Sequence, residues 1–225
     1  MPALSAVEGY RRWAPSYARE TAISALEDKL VSAMTPPLAA RRLLDAGCGV
    51  GRRLTDCGAA EAVGVDPSAA MLEAGVGLGK VASGVRTLIG DVHHLPFPDR
   101  AFDVVWCRLV LGHLADIERA YAELARVTAA GGTLVVSDFH PAAHAAGHRR
   151  TFRDDDGVHE VEHYVHDLSA HAGAARAAGL TPTATREAAI GPDVRDFYEH
   201  AGRAGLYAAH LDLPVVLAIA FRREG

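Results

Sequence analysis

The sequence predicts an α/β fold in which helices cover both faces of a seven-stranded, mostly parallel sheet. Six short runs rich in Val, Ile and Leu have the length of buried strands, and stretches with helical spacing lie between them. Strands that alternate with helices form right-handed βαβ units, and such units build parallel sheets. The six runs are residues 42–46, 62–66, 85–91, 102–107, 132–139 and 214–222.

The helices between these runs follow from local signals. Pro67 and Ser68 can open a helix directly after the second run. Apolar residues recur at helical spacing from Ile117 to Val127, which predicts an amphipathic helix that ends at the glycine pair 131–132. These helices supply the crossovers that a parallel sheet requires.

Two segments depart from this alternation. Residues 8–34 are predicted to form a helical lid, and residues 140–166 a small cap with a hairpin that turns near an Asp-Gly pair. A helix over 168–178, a seventh strand near 181–189 and a helical stretch over 194–207 follow the cap. Because a long hairpin-like connection precedes the last strand, we expect that strand to be antiparallel.

Length and composition fit one globular domain spanning residues 1–225. The formal net charge is −5, with 49% hydrophobic and 23% charged residues, which excludes disorder. A mildly acidic chain lacks the basic surface of a general nucleic-acid binder. The longest apolar run near the end, residues 214–221, is too short to span a membrane. The sparse cysteines and the absence of a recognisable secretory signal predict reduced thiols and a cytoplasmic location. We expect a monomer or a homodimer.

The most informative motif follows the first strand, where Asp45 leads into glycines at positions 47, 49 and 51. Glycines let the backbone turn tightly and approach a ligand, and this end of the first strand is where such sheets bind ligands. A dinucleotide fingerprint would need its third glycine one residue later, where Arg52 stands. An acidic residue before the turn suits a cationic ligand better than a pyrophosphate. The structural alternative is a tight strand-to-helix turn that binds no ligand.

Two further carboxylates end the next two strands. Asp66 is placed to accept hydrogen bonds from both hydroxyls of a ribose. Its structural alternative is a helix cap before Pro67. Asp91 can accept a hydrogen bond from an adenine amino group, while Val92 can donate its backbone N–H to the ring. Three acidic strand ends on one edge of a parallel sheet therefore predict a nucleoside-binding site.

In combination these motifs resemble the class I S-adenosylmethionine-dependent methyltransferases, which have a Rossmann-like sheet. Their small-molecule branch, similar to the quinone and malonyl-carrier methyltransferases, also has the N-terminal pattern that Tyr10, Trp13, Ala14 and Tyr17 match. The segment 128–130 departs from the family's usual Leu-Lys-Pro. The matching motifs are residues 43–51, 63–71, 90–98, 102–105 and 126–134.

The resemblance implies S-adenosyl-L-methionine as the cofactor and assigns residues to it. The turn after the first strand would hold the methionine moiety, the carboxylate at the second strand the ribose, and Met71 the adenine. Arg108 would lie near the amino-acid portion and the acceptor, and Tyr17 would close over the cofactor carboxylate. The implied cofactor-binding residues are Tyr17, Asp45, Gly47, Cys48, Gly49, Gly51, Asp66, Pro67, Met71, Asp91, Val92, Cys107 and Arg108.

A methyltransferase needs a general base only for acceptors that must lose a proton. The candidates near the sheet edge are His113, Asp138, His140 and His144. Seven of the twelve histidines lie between residues 140 and 171. Three interpretations of this cluster stay open, namely a metal site, the lining of an acceptor pocket, or solvated and locally structural histidines. Because no metal-ligand motif accompanies them, no metal ligands are assigned.

The resemblance thus implies methyl transfer from S-adenosylmethionine to a small-molecule acceptor in biosynthesis or secondary metabolism. Two alternatives use the same fold. One is a cyclase or decarboxylase that binds the cofactor without methyl transfer. The other is a non-catalytic binding protein, which fold by itself does not exclude.

Overall fold

The computed structural model describes residues 2–17, 19–79 and 85–225. Residue 18 of the predicted lid lies outside the described residues. Nine strands are found in the described part of the chain. They are β1 Arg42–Ala46, β2 Glu61–Asp66, β3 Arg86–Ile89, β4 Phe102–Arg108, β5 Thr128–Phe139, β6 Thr151–Asp154, β7 Gly157–Glu160, β8 Leu180–Ala189 and β9 Pro214–Arg223.

Eight α-helices connect or flank these strands in the described part. They are α1 Ala6–Trp13, α2 Ala22–Met34, α3 Ala69–Gly77, α4 Ile117–Val127, α5 Pro141–Ala145, α6 Leu168–Ala177, α7 Arg195–His200 and α8 Ala204–Ala209. The predicted helical stretches over 8–34 and 194–207 each contain two α-helices. No helix in the described ranges is long and apolar enough to cross a bilayer.

Helix α4 ends four residues before the predicted glycine pair. Thr128 takes an extended conformation, and its hydroxyl donates a hydrogen bond to the carbonyl of Leu124 at 2.6 Å. The segment after Val127 therefore joins β5 instead of the helix, and Phe102 of β4 pairs with Thr128. At the other end, Asp116 caps α4 by accepting from the backbone N–H of Arg119.

Seven strands form one sheet, as the sequence predicts, and their order is β3-β2-β1-β4-β5-β9-β8. The pairs among β1 to β5 are parallel, and β9 runs antiparallel to both of its neighbours. The chain moves outward from β1 to β3 and then returns to β4 on the other side of β1. This reversal creates a crevice at the carboxyl ends of β1 and β4, the usual ligand site of open α/β sheets.

Alternating residues of the central strands pack against different helices. Leu44 of β1 lies in an apolar cluster with Tyr121 of α4 and Ala174 of α6. Its neighbour Leu43 lies in a second cluster with Val31 of α2. Because successive strand residues point to opposite faces, these clusters show that helices cover both faces of the sheet.

Residues 4–17 pack on residues 140–166. From here on, the name cap covers both segments, that is, the predicted cap together with the first part of the predicted lid. The β6–β7 hairpin turns at the predicted Asp-Gly region, between Asp154 and Gly157. Trp13 stacks on Phe152 with ring centroids 5.3 Å apart, and Arg12 forms ion pairs with the hairpin carboxylates. The N-terminal segment is thereby held against the insertion that follows β5.

Candidate functional site

A cavity of about 310 Å³ opens at the carboxyl ends of β1, β2 and β4 and lies beneath the cap. Its walls come from the turn after β1, the ends of β2 and β3, the segment after β4, and the cap. One end of the cavity thus consists of strand-end loops and the other mainly of cap side chains. The position is the crevice that the strand order predicts.

The turn after β1 owes its shape to glycine. Gly47 and Gly49 have φ angles of 87° and 56°, which glycine adopts without a steric penalty. A Cβ atom at Gly47 would lie 2.2 Å from Cγ2 of Val110. The backbone N–H of Gly47 donates to the carbonyl of Val65 at 2.7 Å. The turn is therefore anchored to β2 and leaves its inner surface to the cavity.

Asp66 fastens this turn to the start of α3. Its carboxylate accepts hydrogen bonds from the backbone N–H groups of Gly49 at 2.8 Å and Ser68 at 2.9 Å. Burial raises the pKa of Asp66 above its ordinary value, and these two hydrogen bonds offset only part of that rise. Because each carboxylate oxygen has two lone pairs, acceptor capacity remains for a ligand hydroxyl in the cavity.

Two buried polar atoms near the turn lack hydrogen-bond partners within the described residues, Asp45 Oδ1 and Arg52 Nη1. Burial raises the pKa of Asp45 to about 7, opposed by the positive charge of Arg108. The Arg52 guanidinium lies over the ring of Tyr17, 5.8 Å from its centroid. Arg52 is partly buried, and its Nη2 lies 3.8 Å from a Glu20 carboxylate oxygen, so only Nη1 is unused. The unused Asp45 acceptor and Arg52 donor match the ammonium and carboxylate of an amino acid.

At the cap end of the cavity, a chain of hydrogen bonds connects Arg150 to the backbone carbonyl of Glu162. Arg150 Nε donates to the Tyr10 hydroxyl at 2.9 Å, and this hydroxyl lies 3.0 Å from His113 Nε2. His113 Nδ1 lies 3.0 Å from the Glu162 carbonyl oxygen, which only accepts. Burial and Arg150 lower the pKa of His113 to about 3. His113 is therefore neutral, with its proton on Nδ1 and its Nε2 accepting from Tyr10.

Most predicted site residues meet in this cavity, although their roles remain predictions. Sequence reasoning missed the contribution of Arg150, which lies in a segment predicted to be a cap but without a motif. Ser5, Leu109 and Glu162 also line the cavity unpredicted. The predicted residues in the lining are Tyr17, Gly47, Gly49, Asp66, Pro67, Met71, Asp91, Val92, Arg108 and His113.

Seven other predicted residues do not line the cavity. Asp45 and Gly51 support the turn, whereas the Cys48 side chain faces Gly64 of β2. Cys107 is fully buried in the apolar cluster around Leu44. Any contact of these residues with a cavity ligand would run through backbone atoms or through the turn.

Three predicted catalytic residues have other partners. Asp138 is buried, and its Oδ2 lies 3.6 Å from Nε2 of the buried His171. His140 caps α5 by accepting from the Ala142 backbone N–H. His144 lies on the same short helix, outside the cavity lining. Their catalytic roles stay predictions that this arrangement does not favour.

The histidine-rich segment is divided among separate environments. His159 pairs with Asp154, His148 contacts His210, and His166 lies 2.8 Å from the Leu114 carbonyl. Across residues 2–17, 19–79 and 85–225, no three His, Cys, Asp or Glu side chains are grouped as metal ligands would be. His159 lies on β7, whereas His163 lies beyond it, because β7 ends at Glu160.

Comparison with known proteins relates this chain to methyltransferases. Residues 44–136 match the model of a methyltransferase domain. The chain is 39% identical over 98 residues to a demethylmenaquinone methyltransferase from Thermobifida fusca, covering 43% of this chain and 42% of that protein. It is 32% identical over 178 residues to a 27-O-demethylrifamycin SV methyltransferase from Amycolatopsis mediterranei, covering 75% and 64%.

The fold has solved counterparts. An S-adenosylmethionine-dependent methyltransferase from Mesorhizobium loti superposes with a TM-score of 0.69 at 22% identity, covering 90% of this chain and 100% of that one. The chain spans less than two thirds of the length of either curated relative. These matches confirm the predicted fold and the predicted resemblance to S-adenosylmethionine-dependent methyltransferases.

Proposed function

We propose that this chain, whose residues 44–136 match a methyltransferase domain, transfers a methyl group from S-adenosylmethionine to a small-molecule acceptor. One observation carries the proposal. The glycine turn and Asp66 line one end of a cavity whose other end is covered by the cap, and the unpartnered Asp45 Oδ1 lies behind the turn. A cofactor and an acceptor can therefore approach each other in a single enclosed space.

The residues present fit the cofactor without rearrangement of the turn. Asp45 would balance the methionine ammonium through the turn, and Arg52 with Tyr17 would hold its carboxylate. Asp66 would accept from the ribose hydroxyls, while Met71 would pack on the adenine. When bound, S-adenosylmethionine supplies an electrophilic methyl group on a positively charged sulfur. Each placement is supported by a free acceptor, a free donor or a lining side chain.

The contribution of the chain to the reaction is alignment and exclusion of water. The cap closes the cavity with Tyr10 and residues 5–7 of the N-terminal segment. Reactants held in line in an enclosed site need little further catalysis. His113 is neutral and its Nε2 is occupied by the Tyr10 hydroxyl, so it would act on an acceptor only through that hydroxyl. We therefore propose positioning, and not proton removal, as the main role of the cap.

The test uses the purified chain in two steps. Isothermal titration with S-adenosylhomocysteine should show stoichiometric binding, because the cofactor end of the cavity is preformed. Incubation with isotopically labelled S-adenosylmethionine and a panel of small acids, phenols and amines should then yield S-adenosylhomocysteine and a labelled methyl product in equal amounts. Binding without a methylated product would favour a non-methylating role, and no binding would refute the proposal.

A cytoplasmic location is also proposed for the chain. Cys48, Cys57 and Cys107 are all free thiols, as expected in a reducing compartment. The net charge of −5 supports a small molecule, and not a nucleic acid, as the partner.

A further inference from the structure

We propose that the acceptor is a small organic anion whose negatively charged oxygen is bound by Arg150. This inference deepens the proposed function, on which it rests, by naming the chemical class of the second substrate. Nothing in the sequence motifs points to Arg150, because it lies in the cap, outside the segments that resemble the family.

The guanidinium of Arg150 makes fewer hydrogen bonds than it has donors. Nε donates to the Tyr10 hydroxyl and Nη2 to the Leu109 carbonyl at 3.2 Å. Both hydrogens of Nη1 and one of Nη2 have no acceptor in the described part of the chain. The Tyr10 and Phe139 rings flank the guanidinium, each with its centroid 6.0 Å away. The group is thus fixed in place while part of its fork stays available.

No carboxylate neutralises this charge. Among the described residues, no Asp or Glu oxygen lies within ion-pair distance of Arg150, and the buried Asp138 acts on it only from farther away. The other arginine of the lining, Arg108, is neutralised by Glu27 and Asp28 at 2.6 and 2.8 Å. Arg150 is therefore the one lining cation left without a counter-charge in the described ranges. A half-buried cation of this kind favours an anionic ligand.

The opposite end of the cavity has the opposite charge. Asp66 and Asp91 line the part assigned to ribose and adenine. Glu162, which also lines the cavity, is exposed and accepts from the Tyr164 hydroxyl. An anionic acceptor would be repelled from the cofactor end and attracted to the cap end. The charge distribution therefore orients the acceptor as well as binding it.

The hydrogen-bond chain supports the same class of acceptor. Arg150 donates to Tyr10, whose hydroxyl hydrogen is directed to His113 Nε2. Neither side chain offers a free basic lone pair to the cavity. An acceptor that is already deprotonated, such as a carboxylate or an acidic enol, needs no base. Binding by Arg150 would also favour its anionic form.

A second anion could compete for Arg150, namely the carboxylate of the cofactor itself. Arg52 offers that group a different donor beside the turn after β1, because its Nη1 is buried without a partner while its Nη2 lies 3.8 Å from Glu20. Arg150 instead contacts Leu109, which follows β4, and the cap. Leu109 has a φ angle of 55°, a strained value for leucine that points to a functional constraint on this segment.

The experiment measures anion binding directly, with and without bound S-adenosylhomocysteine. Hexanoate, benzoate and cinnamate are the probes, and their amides are neutral controls of nearly equal shape. The wild-type chain is compared with Arg150→Gln, Arg150→Lys and Arg153→Gln by isothermal titration. Arg153 is the matched control, because it lies on the same hairpin, is exposed and has the same charge.

We expect at least one carboxylate to bind the wild-type and Arg153→Gln chains, and to bind Arg150→Gln about 10- to 100-fold more weakly. Arg150→Lys should keep part of the affinity, because it retains the charge without the fork. This variant also keeps the test valid if Arg150→Gln unfolds. The amides should bind all four chains equally weakly, and the dissociation constant of S-adenosylhomocysteine should change less than about 2-fold.

Three results would overturn the inference. Equal carboxylate binding by wild type and Arg150→Gln would show that Arg150 is not the anion site. An equal loss of S-adenosylhomocysteine affinity would assign Arg150 to the cofactor carboxylate. Carboxylates and amides that bind wild type alike, or not at all, would exclude an anionic acceptor. The titrations without S-adenosylhomocysteine need no turnover, so a failure of the proposed methyl transfer is recognised separately.

Discussion

The two ends of the cavity are held together in different ways. At the cofactor end, the bond from Gly49 to Asp66 spans 17 residues and joins the ends of adjacent strands. At the cap end, Tyr10 contacts His113 and Arg150 across 103 and 140 residues. The first end rests on backbone geometry and strand order, the second on side chains from distant segments. Changes to backbone conformation should therefore impair cofactor binding, whereas changes to side-chain charge should impair acceptor binding.

The largest effect is expected from Gly47→Ala. The new Cβ atom would meet Val110 Cγ2 at 2.2 Å in a backbone conformation that alanine rarely adopts. The turn must shift, and Val110 lines the cavity. We expect isothermal titration to show a loss of S-adenosylhomocysteine affinity of about 100-fold or more, with an unchanged circular dichroism spectrum.

Gly58→Ala is the matched control for this variant. Gly58 also has a positive φ, of 76°, but a Cβ atom there would have open space around it. Strain alone should lower its stability by about 1–2 kcal/mol and leave cofactor affinity unchanged. If Gly47→Ala binds as tightly as Gly58→Ala, close backbone approach at the turn is not needed.

The second prediction concerns the two acidic strand ends. Asp66→Ala removes the acceptor for the assigned ribose hydroxyls and the anchor of the Gly49 N–H. We expect about 10- to 100-fold weaker S-adenosylhomocysteine binding, the range for lost hydrogen bonds to a charged group. Asp91→Ala, at an exposed carboxylate that pairs internally with His93, should cost less. A larger effect at Asp91 would mean that the two ends of the nucleoside are assigned in reverse.

The third prediction tests the cap end of the cavity. Arg12 bridges α1 to the β6–β7 hairpin through Asp154 and Asp156, each at 2.6 Å. Arg12→Gln should loosen the cap and raise the KM of an acceptor by at most about 5-fold, because exposed ion pairs contribute little. Cofactor affinity should not change.

Arg11→Gln provides the control for that effect. Arg11 pairs with Glu8 within the same helix and is largely exposed, so it contributes little to the contact between α1 and the hairpin. Steady-state kinetics give the KM of the acceptor for both variants. Equal KM values for the two variants would show that the Arg12 bridge does not shape the acceptor site.

The same contrast explains what could be predicted from the sequence. The sheet and its glycine turn follow from periodicity and local backbone chemistry, which neighbouring residues determine. Asp66 and Asp91 were predictable as site residues because parallel strands end at one edge. The last strand could be predicted as antiparallel from the connection that precedes it. These inferences needed no knowledge of contacts between distant segments.

The cap could not be predicted in this way. Arg150 has the same local pattern as Arg149, yet Arg150 meets Tyr10 and the cavity, whereas Arg149 is exposed. His140 was expected at the acceptor, but it caps α5 because the following Pro141 starts a helix there. Only the packing of α1 on the insertion distinguishes these residues. Side-chain roles that depend on such long-range packing leave no local signal.

The last prediction concerns stability, not ligand binding, and uses Asp45→Asn at the cofactor end. Burial raises the pKa of Asp45 to about 7, well above its ordinary value near 4. Between these two values the folded chain binds a proton that the unfolded chain has lost, so stability falls as pH rises through this window. Above pH 7 the buried charge is present and its full cost applies.

Asparagine resembles the protonated carboxyl and removes that cost. We therefore expect Asp45→Asn to melt close to the wild-type temperature at pH 4 and progressively higher from pH 5 to pH 8, by about 2–4 °C for each kcal/mol. The buried His113 and His163, whose pKa values are lowered to about 3 and 4, destabilise both chains equally as pH falls, so they cancel in the difference. Differential scanning calorimetry of the apo chains gives this difference directly. A difference that does not grow with pH would mean that Asp45 is ionised throughout, held so by Arg108, and that the turn rests on a permanent buried charge.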